Sequence, residues 1–237
     1  METTLDSNRR TARLAGFLFI FLCIPLVTWS QSYVLSRIFV PQDPAATAHN
    51  LLSNEFLFRT GIVSHLASNI TFAFLALLLY RLFRPVDKHL SRLMIVPVLA
   101  QVPIFLVLEV FNITALMILK SEAQNTFDVA QKQELAFLLM RMHRFGIGAA
   151  QLFWGLFFLP FGMLVLRSGF MPRILGLLLI ISGIGYLADG CTYILLQRPD
   201  YLFVRQFVMY AMIMGLPTML WLLIKGVSER SAPVISI

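Results

Sequence analysis

The chain has 237 residues, of which 58% are hydrophobic and 13% are charged, whereas soluble domains carry roughly 25% charged residues. Its mean hydropathy is +0.79, and a water-soluble globule of this length could not bury so much apolar surface. The same composition excludes intrinsic disorder. The sequence therefore predicts an all-α integral membrane protein, in which the net charge of +7 concerns topology rather than a nucleic-acid partner.

Six segments contain the roughly 20 apolar residues that a transmembrane helix needs. In chain order they are residues 14–30, 61–80, 93–119, 145–166, 172–196 and 206–224. A further short helix over 45–58 is predicted in an outer loop, after a turn sequence that contains Pro41 and Pro44. Since no second domain or low-complexity tract is visible, residues 1–237 are predicted to form a single six-helix membrane domain.

Basic residues are distributed unevenly over the predicted loops. One set of loops, which includes both termini, holds eleven basic and four acidic residues, whereas the other set holds eight basic and six acidic residues. Cytoplasmic loops of membrane proteins are enriched in Lys and Arg. Both termini are therefore predicted to be cytoplasmic, and the absence of a cleavage site after the first segment predicts a retained anchor.

Three glycines spaced by seven residues occur in the fourth predicted helix, and three more with the same spacing occur in the fifth. The connection between these helices is short, so they are predicted to form an antiparallel hairpin. Small residues let membrane helices approach closely. The predicted packing contact pairs Gly148 with Gly190, Gly155 with Gly183 and Gly162 with Gly176.

Polar side chains inside the predicted helices are expected to converge in the outer half of the bundle. Ionisable residues are costly in a membrane, so each one requires a partner or a function. Glu109 lies seventeen residues beyond Arg92, and Asp189 lies seventeen beyond Pro172, which places both carboxylates at a similar depth. The candidate pocket residues are Arg59, His65, Asn69, Glu109, Asn112, Arg141, His143, Arg144, Gln151, Tyr186, Asp189, Arg205 and Tyr210.

Two interpretations of these residues stay open on the sequence alone. In the first, ion pairs join the helices: Asp189 with Arg144, and Glu109 with Arg141 or Arg205. In the second, they form a polar pocket for a small or lipid-derived anionic ligand, because guanidinium groups suit phosphate. Membrane lipids are then the expected partners. A structural or partner-binding subunit without a small ligand is a further alternative.

Catalysis and metal binding have no recognisable motif. An intramembrane enzyme would use His143 as a proton acceptor together with Asp189 or Glu109. A zinc site that combines these residues with His65 is conceivable in ligand type, but no HExxH or HxxxH spacing supports it. The neighbouring arginines also disfavour a divalent cation. No metal ligand and no cofactor are therefore predicted.

Several strings carry a resemblance to a known family. They are RTARLAG (10–16), DPAATA through EFLFR (43–59), YRLFRPV (80–86), HRFG (143–146), SGFMPRILG (168–176), GYLAD (185–189) and WLLIKGV (221–227). In this order they resemble the prokaryotic membrane family described as domain of unknown function 4386. The resemblance implies a six-helix protein of the bacterial cytoplasmic membrane and no established reaction. It leaves His65 outside its strings, and it includes Glu55, Arg59, His143, Tyr186 and Asp189.

Overall fold

The computed structural model describes residues 2–120, 127–196 and 213–227, and every regular element in these ranges is a helix. Helix α1 is a continuous run of five helical segments that begins at Glu2 and ends at Ile38. The other six helices are α2 (Pro44–Ser53), α3 (Glu55–Phe83), α4 (Lys88–Lys120), α5 (Val129–Ser168), α6 (Arg173–Leu196) and α7 (Leu216–Ile224).

Within the described ranges, five helices are long and apolar enough to cross a membrane. Their candidate spans are Asp6–Ile38, Glu55–Phe83, Lys88–Lys120, Val129–Ser168 and Arg173–Leu195. Large apolar side chains such as Val63 and Met117 are exposed on these helices, which suits contact with lipid rather than with water. The all-α, multi-pass membrane architecture is confirmed. The sixth predicted segment, 206–224, is described only from residue 213, so the number of six crossings stays a prediction.

The helices extend beyond the apolar segments that predicted them. Helix α5 begins at Val129 rather than near residue 145, because the polar residues before the apolar stretch continue the same helix. The predicted outer helix over 45–58 is divided at Asn54 into α2 and the first turn of α3. Asp43 caps α2, since its Oδ1 accepts a hydrogen bond of 2.8 Å from the backbone N–H of Ala46.

Helix α1 departs twice from regular α-helical geometry. It is π-helical over Leu18–Cys23 and again over Thr28–Val34, with α-helical segments before, between and after. Pro25 lies between the two π-helical segments; it has no backbone N–H, and its ring displaces the carbonyl group four residues earlier. π-Helical turns are rare and occur frequently at functional sites.

The described chain divides into two compact units. Unit 1 contains residues 2–22, 71–101, 148–196 and 213–227, and unit 2 contains residues 23–70, 102–120 and 127–147. The hydrophobic core of unit 2 consists of Val34, Ile38, Phe39, Leu51, Phe58, Ile62, Ala115, Leu116, Ala136, Phe137 and Met140. In unit 1, the ring of Phe72 packs against the rings of Trp154 and Phe157.

Glycines bring α5 and α6 close together within unit 1. A Cβ atom added to Gly162 would lie 2.7 Å from the carbonyl oxygen of Gly176, and one added to Gly155 would lie 2.9 Å from the carbonyl oxygen of Gly183. Side-chain carbon atoms do not occur this close to backbone oxygens. At these two pairs, only glycine permits the observed separation of the two helices.

The remaining two glycines of the predicted contact have side chains as neighbours. Gly148 lies against the ring of Tyr193, and Gly190 lies against the side chain of Leu152. In each case the missing Cβ makes room for a large residue of the facing helix. The hairpin therefore combines two backbone contacts with two contacts between a glycine and a bulky side chain.

Replacement of Gly162 by Ala is expected to destabilise the protein. Ala normally stabilises a helix interior by about 1 kcal/mol relative to Gly. Overpacking costs about 1–3 kcal/mol, and here the added Cβ atom would meet a backbone oxygen, which cannot turn aside as a side chain can. The melting temperature of the detergent-solubilised variant should therefore fall. Leu177→Ala, on the exposed face of α6, is the control that should leave it nearly unchanged. Equal melting temperatures for Gly162→Ala and wild type would contradict the packing described.

Candidate functional site

Three buried side chains from three helices meet in unit 2. His65 of α3, Glu109 of α4 and His143 of α5 are 3%, 1% and 2% exposed. Oε1 of Glu109 lies 2.5 Å from Nδ1 of His65 and 3.0 Å from Nε2 of His143. One potential ligand atom from each residue lies within 4.8 Å of the other two. We refer to these three residues as the His–Glu–His cluster.

Two asparagines, each one helical turn from a cluster residue, hold the cluster in place. Asn112 donates a hydrogen bond of 2.9 Å from Nδ2 to Oε2 of Glu109. Asn69 donates one of 2.9 Å from Nδ2 to the backbone carbonyl of His65. Both oxygens of the Glu109 carboxylate therefore accept hydrogen bonds, as a buried carboxylate requires.

Close packing fixes the positions of the imidazole rings. The ring of His65 meets that of Phe105 edge to face at 5.3 Å, and the two imidazole rings are 6.0 Å apart. Gly146 lies one turn after His143, and a Cβ atom added there would overlap the side chain of Leu108. The absence of a side chain at Gly146 thus lets α4 and α5 approach each other next to the cluster.

A cavity of about 20 Å³ adjoins the cluster. It is large enough for one water molecule. Two of the polar atoms buried at its lining residues, Oδ1 of Asn112 and Nδ1 of His143, make no hydrogen bond. The lining residues are Ser30, Gln31, Val34, Leu35, Phe58, Gly61, Ile62, Glu109, Asn112 and His143.

The predicted arginines of unit 2 contact other groups. Nε of Arg59 donates a hydrogen bond of 2.8 Å to Oε1 of Glu55. The guanidinium group of Arg144 lies 4.3 Å from the centre of the Phe39 ring, and that of Arg141 lies 6.0 Å from the centre of the Phe145 ring. None of these arginines lines the cavity. The hydrogen-bond partners of Glu109 are histidines and Asn112.

The other candidate residues fall into two groups. Gln151, Tyr186 and Asp189 belong to unit 1, where the ring of Tyr186 stacks on that of Phe158 at 5.4 Å. Arg205 and Tyr210 lie outside the described residues. The structure therefore brings together five of the predicted residues in unit 2: His65, Asn69, Glu109, Asn112 and His143.

The contribution of α1 to the site was not predicted. Ser30, Gln31 and Val34, which belong to the second π-helical segment, line the cavity. Cys23 and Ser68 join α1 to α3 nearby, because Ser68 Oγ donates to the carbonyl oxygen of Cys23 at 3.2 Å. Pro25 is the one residue in the sequence that indicates an irregular helix here.

Comparison with known families supports the resemblance found in the sequence. The model of the family described as domain of unknown function (DUF4386) matches residues 14–226. Neither the comparison with curated proteins nor the comparison with solved structures returns a match.

Replacement of Glu109 by Leu is expected to destabilise the protein. The measurement is made with a metal chelator in the buffer, so that only the hydrogen bonds of Glu109 are tested. The change leaves Nδ1 of His65 and Nε2 of His143 buried without an acceptor, at a cost of about 1–3 kcal/mol each. Glu109→Gln keeps a carbonyl oxygen and should lose less stability. Denaturation midpoints in detergent measure the difference, with Glu134→Leu at an exposed site of α5 as the control. Full stability of Glu109→Leu would contradict the role of Glu109 as the shared acceptor.

Proposed function

The chain belongs to the family described as domain of unknown function 4386, and we propose that it binds a divalent transition metal ion inside its membrane domain. Zinc is the first candidate. The observation that carries the proposal is the convergence of two imidazole nitrogens and one carboxylate oxygen from three helices. Two histidines and one glutamate are a ligand set that zinc takes in catalytic sites.

The distances in the cluster suit exchange of protons for a metal ion. Zinc binds imidazole nitrogen and carboxylate oxygen at about 2.0–2.2 Å, so its ligand atoms lie roughly 3.4 Å apart in a tetrahedron. Oε1 of Glu109 is 3.0 Å from His143 Nε2 and 2.5 Å from His65 Nδ1. An outward movement of this oxygen by about 0.4–0.9 Å relative to the two nitrogens would bring both pairs to that spacing, and the two nitrogens themselves lie within 4.8 Å of each other. The metal would then replace the protons that now form the two hydrogen bonds.

The electrostatic surroundings also favour a cation over an anion at this position. With neutral histidines, the cluster carries the single negative charge of Glu109. The arginines that argue against a divalent cation in the sequence lie elsewhere, since Arg59 pairs with Glu55 and Arg144 covers the ring of Phe39. An anionic ligand at the cavity would instead face the Glu109 carboxylate.

The metal content of the purified protein tests the proposal. We expect about one zinc per chain after purification without a chelator, measured by inductively coupled plasma mass spectrometry. His65→Ala and His143→Ala should each weaken binding by more than about 100-fold, because loss of even an outer-shell partner costs 10–100-fold. His49→Ala and His89→Ala, at exposed histidines, are matched controls. Metal-free wild-type protein that also fails to take up added zinc would refute the proposal.

The proposed orientation puts both termini in the cytoplasm of a bacterial cell, with six crossings of the cytoplasmic membrane. The excess of basic over acidic residues in the termini and in the loops on the same side supports this orientation. It places the turn between α3 and α4, with Arg84 and Lys88, on the cytoplasmic side.

A second candidate function is the binding of anionic phospholipid head groups, and a basic cavity in unit 1 favours it. The cavity measures about 380 Å³ and lies where α3 ends and α4 begins. Three cations line it, and none of them takes part in a salt bridge with another described residue. The lining residues are Tyr80, Arg81, Arg84, Pro85 and Lys88.

The nearest carboxylate in the sequence is engaged elsewhere. Oδ1 of Asp87 accepts hydrogen bonds from the backbone N–H groups of His89 and Leu90, and Oδ2 accepts one of 2.5 Å from Arg167. The backbone hydrogen bond from Leu90, with further contributions from His89 and Arg167, lowers the pKa of Asp87. Asp87 therefore stays ionised at neutral pH, yet it does not neutralise the three cations of the cavity.

Native mass spectrometry of the protein released from lipid nanodiscs tests this second function. We expect the wild type to retain phosphatidylglycerol in preference to phosphatidylcholine, and added inorganic phosphate to reduce this retention. The variant Arg81→Gln/Arg84→Gln/Lys88→Gln should lose the preference. Arg10→Gln/Arg13→Gln/Arg173→Gln removes the same charge at exposed positions outside the cavity. Equal losses in both triple variants would show general attraction to anionic lipid and contradict a defined site.

A further inference from the structure

We propose that the metal ion is held by three protein side chains only and keeps a fourth coordination position open toward the 20 Å³ cavity. This inference rests on the proposed function and deepens it. The ligand at the open position would be a water molecule or a small monoanion. The His–Glu–His cluster would then belong to the open class of zinc sites, in which metal-bound water or a substrate takes the fourth position.

The number of protein ligands is the first reason. Structural zinc sites are closed by four protein ligands, whereas catalytic sites use three. Among the residues that the structure describes, His65, Glu109 and His143 are the only group of three or more metal-binding side chains that converge. The sulfur of Cys23 does not belong to this group and lies near the backbone carbonyl of Ser68. Within the described residues, no fourth His, Cys, Asp or Glu joins the three proposed ligands.

The position of the cavity is the second reason. Glu109 and His143, two of the three proposed ligands, line it directly. Its volume of about 20 Å³ exceeds the 10–15 Å³ that a water molecule requires. A ligand of that size at this place is within reach of a metal ion bound to these two side chains.

The third reason is the set of polar atoms that the cavity residues leave without a partner. Asn112 is 6% exposed, and its Nδ2 donates to Glu109, which leaves its Oδ1 as a buried acceptor without a hydrogen bond. Metal-bound water is a strong hydrogen-bond donor that needs such an acceptor. Nδ1 of His143 is also without a partner, and it carries a proton when Nε2 is the metal ligand. Oδ1 of Asn112 therefore favours a hydrogen-bond donor such as metal-bound water in the cavity.

The walls of the cavity limit the size of the ligand. The second π-helical segment of α1 contributes Ser30, Gln31 and Val34. Opposite it on α3, Gly61 approaches so closely that an added Cβ atom would lie 2.9 Å from Cγ1 of Val34. The space next to Glu109 and His143 is therefore narrow, which favours a small ligand such as water, hydroxide or azide.

Cobalt substitution makes the open position visible. The d–d absorption of Co²⁺ reports its coordination, so we would load the chelator-treated full-length protein with Co²⁺ and titrate it with sodium azide. We expect a saturable change of the visible spectrum. Ser30→Leu should fill the cavity and raise the apparent Kd for azide at least 10-fold while Co²⁺ remains bound. Ser36→Leu, the same substitution at an exposed position of α1, should respond like wild type.

The outcomes separate this inference from the proposed function. If wild-type protein binds Co²⁺ but its spectrum does not respond to azide, the fourth position is closed and the inference is wrong, although the metal site stands. If no Co²⁺ binds, the proposed function and the inference both fail. If Ser30→Leu does not retain Co²⁺, Val34→Leu fills the same cavity from the same helix. If the cavity-filling variant that retains Co²⁺ responds to azide like wild type, the open position does not face this cavity.

Discussion

The compensation of one buried carboxylate is the interaction on which the polar centre of unit 2 depends. An ionised side chain inside a membrane domain costs several kcal/mol unless its charge and lone pairs are satisfied. Glu109 is 1% exposed, and it contacts nitrogen atoms of His65, His143 and Asn112. Because the two histidines lie on α3 and α5, the facing sides of three helices are fixed by one group on α4.

The same arrangement explains why this place suits a metal ion. Hydrogen bonds hold two imidazole nitrogens close to an oxygen of the Glu109 carboxylate. After a slight outward movement, these three atoms would have the spacing that a small divalent cation requires. The surroundings then favour an exogenous ligand, because the irregular helix α1 leaves a small cavity beside two of the three side chains. Charge compensation, metal affinity and access to water would thus share one origin.

Much of the fold could be predicted from the sequence, since apolar length determines which helices can cross a membrane. The heptad spacing of Gly155 and Gly162 likewise carries a local packing signal. The cluster could be predicted only in part. Glu109 and Asn112 lie one turn apart on a single helix, but His65 and His143 are 44 and 34 residues from Glu109. The periodicity of a single helix does not show that such distant residues meet, because they come together only when the three helices pack.

Two further features were not predicted from the sequence. Arg144 follows His143 directly and therefore appeared to repel a cation, but adjacent residues on a helix point about 100° apart, and Arg144 covers Phe39. Pro25 indicates an irregular helix but not where the π-helical segments lie, so Ser30 and Gln31 were not predicted to line a cavity.

The zinc K-edge X-ray absorption spectrum of the protein purified from membranes tests whether His65, Glu109 and His143 bind zinc. We expect a first shell of nitrogen and oxygen atoms at about 2.0–2.1 Å, with the multiple scattering of two imidazole rings. This imidazole scattering should disappear in a His65→Ala/His143→Ala variant. A spectrum without imidazole scattering, or a first shell of sulfur at about 2.3 Å, would contradict a metal centre formed by His65, Glu109 and His143.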